Sequence, residues 1–203
     1  VIAILDVCSG NLRSVERALQ HVGGDVRVTN DPEVVRAADK IVVPGQGSFD
    51  VFMQALGKLR LAHVLATAIV DGKPYLGICL GLQILFEESD EGTGKWREGL
   101  GWLPGRITKL APADRTLKVP HMGWNRVVKR HDDPLLAGIA DDAYFYFVHS
   151  YHAPLGDNVV LETEHGVPFC AALRKDNVFA CQFHPEKSQA VGLRLLRNFV
   201  EAR

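Results

Sequence analysis

A cysteine that attacks a carbonyl must stand clear of its neighbours, and one position in this chain has the surroundings for it. Cys79 lies in PYLGICLGLQILFEES at 74–89, which reads as strand, tight turn and helix, with Gly77 two residues before the sulfur and Gly81 two residues after it. Side chains at 77 or 81 would collide with so sharp a turn, so the glycines fit a nucleophile elbow. At the start of the following helix, the positive end of the dipole and unpaired amides would favour thiolate over thiol. A buried core cysteine beside helix-packing glycines is the competing reading of this segment taken alone.

A base for that cysteine is available in QFHPE at 182–186, which closes a strand and carries His184 and Glu186 two residues apart. Residues at i and i+2 project to the same side of an extended chain, so the carboxylate can hold the imidazole. His184 would draw off the thiol proton and later deliver it to a leaving group. A surface histidine next to a proline is the alternative. The third piece is PGQGSF at 44–49, where Gly45 and Gly47 free the backbone to turn amides toward an anion, as an oxyanion hole requires. It is a poor dinucleotide fingerprint, because Asp50 replaces the third glycine. GTGKW at 92–96 fails as a phosphate loop, because Trp96 stands where Ser or Thr is needed.

These residues need a scaffold, and the chain supplies alternating β-branched and amphipathic runs. Strands are expected at 2–5, near 25–29, at 40–45 and at 74–78, with helices from Asn11, at PEVVRAA and over 55–70. Nearly continuous apolar strands such as IVV imply an α/β fold: a mostly parallel central sheet covered by helices on both faces, with ligands beyond the strands' carboxyl ends. After Gly99 come shorter extended pieces, RITKL, NRVVK, YFYFVHSY, NVVLETE and NVFACQFH, so additional strands are expected in the second half. A closing helix over SQAVGLRLLRNFVEA should pack Val191, Leu195, Leu196 and Phe199 inward.

The 203 residues suit a single domain spanning 1–203, and 47% hydrophobic with 23% charged residues is the balance of a soluble globular chain. A net charge of -1, spread without blocks of one sign, disfavours a reader of nucleic-acid backbones. Four cysteines with no CxxC pair argue against structural zinc, and no metal or cofactor is expected. Cys170 and Cys181 lie in apolar strands and read as core. With no membrane-length apolar run, and an opening VIAILDV too short for a signal peptide and lacking its basic n-region, the chain is expected to be cytoplasmic and to make no membrane contact.

Taken together, PGxG, GxCxGxQ and FHPE in this order resemble the class I, triad-type glutamine amidotransferases. The resemblance spans the chain, and the acid following the histidine separates it from α/β-hydrolases. It implies that Cys79 attacks the glutamine side-chain amide to form a thioester, that the Gly47 and Leu80 amides receive the oxyanion, and that His184 and Glu186 complete the triad. It further implies a glutamine pocket from Gln83, Glu91, His149, Ser150 and Tyr151. Within the class, GNLRSV at 10–15, VPHMGWN at 119–125 and YFVHSY at 146–151 are similar to the glutaminase subunits of imidazole glycerol phosphate synthase, whose partner is a (β/α)₈ cyclase subunit. The chain departs from that family's usual opening, an aspartate, an aromatic residue and a glycine, by carrying Asp6-Val7-Cys8-Ser9, where Cys8 reads as a small buried residue.

Free ammonia is largely protonated at neutral pH, and nothing in the sequence offers a second active site to use it, so a partner must. Met122, Trp124 and Asn125, read as a loop, are candidates for that contact, with a core tryptophan as the alternative. A glutaminase serving anthranilate, pyridoxal phosphate or carbamoyl phosphate synthesis, or a silent regulatory partner of the same fold, remain competing functions. VPHMGWN disfavours the first and the retained cysteine, histidine and glutamate the second.

Overall fold

The computed structural model describes residues 1–7 and 12–202. Cys8 and the Gly10-Asn11 part of the GNLRSV motif lie outside them. In chain order the regular elements are β1 (Ile2–Leu5), α1 (Leu12–His21), β2 (Val26–Thr29), α2 (Pro32–Ala37), β3 (Lys40–Gly45), α3 (Phe49–Lys58), α4 (Leu61–Val70) and β4 (Tyr75–Cys79). They continue through α5 (Leu80–Gln83), β5 (Phe86–Ser89), β6 (Leu103–Lys109), β7 (His121–Arg126), β8 (Val128–Lys129), β9 (Tyr144–His149) and β10 (Tyr151–His152). The last are β11 (Val159–Glu164), β12 (Pro168–Lys175), β13 (Val178–Cys181) and α6 (Gln189–Glu201).

Eight strands form the central sheet in the order β2-β1-β3-β4-β13-β12-β11-β8. The five from β2 to β13 run parallel, and β12, β11 and β8 extend the sheet antiparallel. Alternation along each strand divides the core. Ala3, Leu5, Ile41 and Val43 pack on one side with α2, α3 and α4, while Ile2, Ile4 and Val42 pack on the other with α1 and α6. Leu195, Leu196 and Phe199 are buried as expected, with Val191 half-buried against the same cluster. Two smaller sheets, β10-β6-β5 and β7-β9, sit beside the main one. Among the described residues no helix is long and apolar enough to cross a membrane.

Three local expectations need correction. The helix predicted over 55–70 is two helices, because Arg60 adopts a left-handed conformation (φ 57°) and turns the chain before Leu61 enters the core. The helix after Cys79 stops at Gln83, and Phe86–Ser89 is a strand. The carbonyls of Ile84, Leu85, Phe86 and Glu87 are taken by amides of Leu100, Leu103, Gly101 and Gly99, so a distant segment outbids the local helix. The VPHMGWN segment is not a loop, since His121–Arg126 pairs antiparallel with β9.

Candidate active site

At the carboxyl end of β4 the chain reverses into α5 through Cys79 itself, which holds φ 56° and ψ −107°. A non-glycine residue held there is strained, and surrounding packing must enforce it. Three glycines do so by close approach. A Cβ on Gly77 would lie 2.3 Å from the Gly81 carbonyl oxygen, one on Gly81 would lie 1.9 Å from the Val43 oxygen, and one on Gly45 would lie 2.5 Å from Leu80 Cβ. The buried Tyr75 hydroxyl donates to the Gly81 oxygen at 2.7 Å and pins the turn. The elbow expected from the glycine spacing is therefore present. Its helix, however, is a single turn of four residues, so a helix dipole contributes little at the sulfur.

β13 runs beside β4 and ends at Cys181, so Gln182, Phe183 and His184 continue past the sheet toward the elbow. The His184 amide donates to the Tyr146 carbonyl at 2.8 Å, which fixes that continuation against β9. Glu186 lies on the short 3₁₀ turn Pro185–Lys187 and not on an extended chain, yet its Oε1 sits 2.8 Å from His184 Nδ1. The turn achieves the pairing that strand geometry was expected to give. Both side chains are almost fully buried. Burial disfavours a charged imidazole, but the neighbouring Cys79 and Glu186 outweigh it and raise His184 to about 10. Among the described residues, the buried His184 Nε2 has no hydrogen-bond partner.

A cavity of about 360 Å³ opens over these groups, lined by Gly47, Cys79, Leu80, Gln83, Glu91, His149, Ser150, Tyr151 and His184. The structure thus brings together every residue expected at the triad, oxyanion hole and glutamine pocket except Glu186, which stands behind His184. Gly47 has φ 96°, so its backbone is turned in a way a side chain would resist. Glu91 is half-buried, which raises its carboxyl above the ordinary value, and one of its oxygens accepts the Phe49 amide at 2.9 Å. His149 forms wall and not contact: Nδ1 meets the Tyr151 carbonyl at 2.9 Å and Nε2 meets His121 Nδ1 at 2.9 Å, so both nitrogens are spent. Because a carbonyl only accepts, His149 carries its proton on Nδ1, and His121 must donate to Nε2. Burial lowers His149 to about 3 and His121 to about 4, which keeps both rings neutral.

Sequence reasoning missed Gln46, Pro120, Val148 and Lys187, which also line the cavity, and Gln182, which touches the sulfur. Gln182 had a visible signal, a polar residue inside the apolar run VFACQF, and Gln46 stood between the glycines of PGQGSF; Pro120, Val148 and Lys187 had none, since only the fold brings them to this opening. Of the interface candidates, Met122 (63% exposed) and Trp124 (46%) face solvent, so Trp124 is not a core residue. Asn125 points to the other face, where its Nδ2 meets the Glu164 carbonyl at 2.8 Å and His121 Nε2 at 3.2 Å. Cys170 and Cys181 are fully buried thiols that burial shifts upward, which suits core and not nucleophilic roles.

The strained cysteine elbow, the histidine of the buried histidine–glutamate pair and the turned backbone at Gly47 meet at one cavity. The model of the family Glutamine amidotransferase class-I matches residues 3–202, and the chain belongs to that family. Within it, the chain is 52% identical to the imidazole glycerol phosphate synthase subunit HisH of Methanothermobacter thermautotrophicus, covering 99% of this chain and 98% of that one. It is 48% identical to the same subunit of Nitrosomonas europaea, over 98% and 97% of the two chains. A crystal structure of a glutamine amidotransferase shares the fold with a TM-score of 0.76 at 20% identity, over 99% of this chain and 97% of that chain.

Proposed function

We propose that the chain is one glutaminase domain that hydrolyses L-glutamine to glutamate and ammonia, as the glutaminase subunit of an imidazole glycerol phosphate synthase in histidine biosynthesis. The observation that carries this is the juxtaposition of Cys79 on its elbow with the His184–Glu186 pair, 2.8 Å apart, at one cavity. His184 takes the Cys79 proton, and the sulfur bonds to the side-chain amide carbon of glutamine. Charge moves to the carbonyl oxygen, which the Gly47 and Leu80 amides receive. The carbon–nitrogen bond then breaks as His184 returns the proton to the nitrogen, leaving ammonia and a thioester. Water, deprotonated by His184, attacks the thioester, and glutamate leaves as the Cys79 sulfur is released. Glu186 orients the imidazole and balances its charge throughout.

Gln83, Glu91, Ser150 and Tyr151 surround the volume left for the amino-acid end of glutamine. The half-buried Glu91 carboxylate suits its ammonium group. A (β/α)₈ cyclase subunit is the partner that would use the ammonia, and the solvent-facing Met122 and Trp124 suit its docking. Pro120 and Val148, from the same hairpin, reach the cavity rim, so such a partner would sit next to where ammonia forms. A cytoplasmic setting suits a site whose cysteine must remain a free thiol. The test is glutamate release from glutamine in the presence of the cyclase partner. Cys79→Ala should leave fold and association intact and reduce release below about one tenth of wild type. Activity above that level would overturn the assignment.

A further inference from the structure

Resting on this reading of Cys79, we propose that Gln182 is a further catalytic residue: its side-chain amide donates to the Cys79 sulfur and stabilises it as thiolate. Gln182 is fully buried, and its Nε2 lies 3.6 Å from Cys79 Sγ, within reach for a donor to sulfur.

The direction of that bond is set by a chain of obligatory donors. The Tyr151 carbonyl can only accept, so the Gln83 amide must present Nε2 to it, at 2.9 Å. The second hydrogen of the same Nε2 meets Gln182 Oε1 at 3.0 Å. With its oxygen held there, Gln182 turns its NH₂ toward the sulfur. The reverse orientation would set oxygen against thiolate and nitrogen against nitrogen. Gln83 therefore acts twice, as a wall of the pocket and as the residue that orients Gln182.

The bond matters at two points of the reaction. Before attack, an N–H aimed at sulfur favours its anion, which the single turn of α5 does little to support. On acylation the sulfur loses its charge to the carbonyl oxygen and the bond weakens. When water attacks the thioester and the carbon–sulfur bond breaks, the electron pair returns to sulfur and the bond re-forms, easing departure.

Gln182→Met removes the donor without adding charge. Its thioether side chain is close in length to glutamine's and offers no N–H to the Cys79 sulfur. In the folded variant, alkylation of Cys79 by iodoacetamide at pH 7 should slow by about tenfold, its pH midpoint should move upward, and kcat for glutamine should fall while KM changes by less than about threefold. A residue with only a packing role would leave the alkylation profile unmoved. An unchanged midpoint with unchanged kcat overturns the proposal. Because alkylation needs no glutamine, its profile reports on the sulfur even if the glutaminase reading fails. In the wild-type protein, the Gln182 side-chain amide resonance should follow the titration of Cys79. A resonance that stays flat through it overturns the proposal whether or not the variant folds.

Discussion

His184 and Glu186 illustrate how much a single buried pair is asked to do. The imidazole is held charged by its neighbours in a site that would otherwise expel charge, so its carboxylate partner is the group whose loss it should feel most. Glu186→Gln preserves shape and removes the charge. Turnover should fall by about 100-fold or more with KM for glutamine little changed, as expected when an imidazolium loses its orienting carboxylate in the transition state. Steady-state kinetics would check this, and an unaltered kcat would remove Glu186 from the mechanism. The pair is legible in the sequence as FHPE, but the reason for its geometry is not, because strand spacing and a 3₁₀ turn both bring positions 184 and 186 together.

At the scale of elements, the elbow and the β7–β9 hairpin each make a prediction. Gly81 faces the Val43 backbone at a distance no Cβ tolerates, and backbone cannot yield as a flexible side chain would. Gly81→Ala should destabilise the fold by about 2 kcal/mol or more, whereas Gly156→Ala, where an added Cβ meets open space, should stay within about 0.5 kcal/mol. Urea unfolding of both variants provides the comparison. His149, on β9, ties the hairpin to the cavity wall through His121 and Tyr151. Its folded-state value of about 3 lies below the ordinary 6.5, so below that pH the unfolded chain binds the extra proton. The contribution is fully present above about pH 6.5 and is lost as pH falls toward about 3, costing about 2 kcal/mol between pH 7 and 5. Nitrogen-15 spectra should show a neutral, Nδ1-protonated His149 at pH 6, and an imidazolium signal there would contradict the network.

For the whole molecule, the exposed side of the hairpin carries the argument. Trp124 packs edge-on against Tyr146 across β7 and β9, with Met122 beside it in the open, while the opposite side holds the buried histidines. Met122 and Trp124, exposed beside the cavity rim, suit the proposed association with a cyclase subunit. Trp124→Ala should weaken that association by about 2 kcal/mol or more, measured by titration calorimetry, with the melting temperature nearly unchanged. A normal binding constant would remove Trp124 as an anchor. Its exposure predicts that folding survives, since the side chain lost is not filling the core.

The sequence by itself determined what depends on near neighbours along the chain. Glycines at 77 and 81 require a turn, alternating apolar strands require a covered parallel sheet, and PGxG, GxCxGxQ and FHPE select the chemistry. What the tertiary structure decided depends on partners far apart in sequence. The helix after Cys79 ends because amides at 99–103 take its carbonyls. Arg60 breaks a run whose apolar pattern continues through it. Trp124 is exposed because pairing of β7 with β9 sets it on the face opposite the buried His121 and His149. Gln182 reaches the sulfur only because β13 pairs beside β4, and its amide points the right way only because a carbonyl at Tyr151, on another sheet, admits donors alone. Hydrogen-bond polarity of this kind passes from one distant residue to the next, so local composition carries no trace of it.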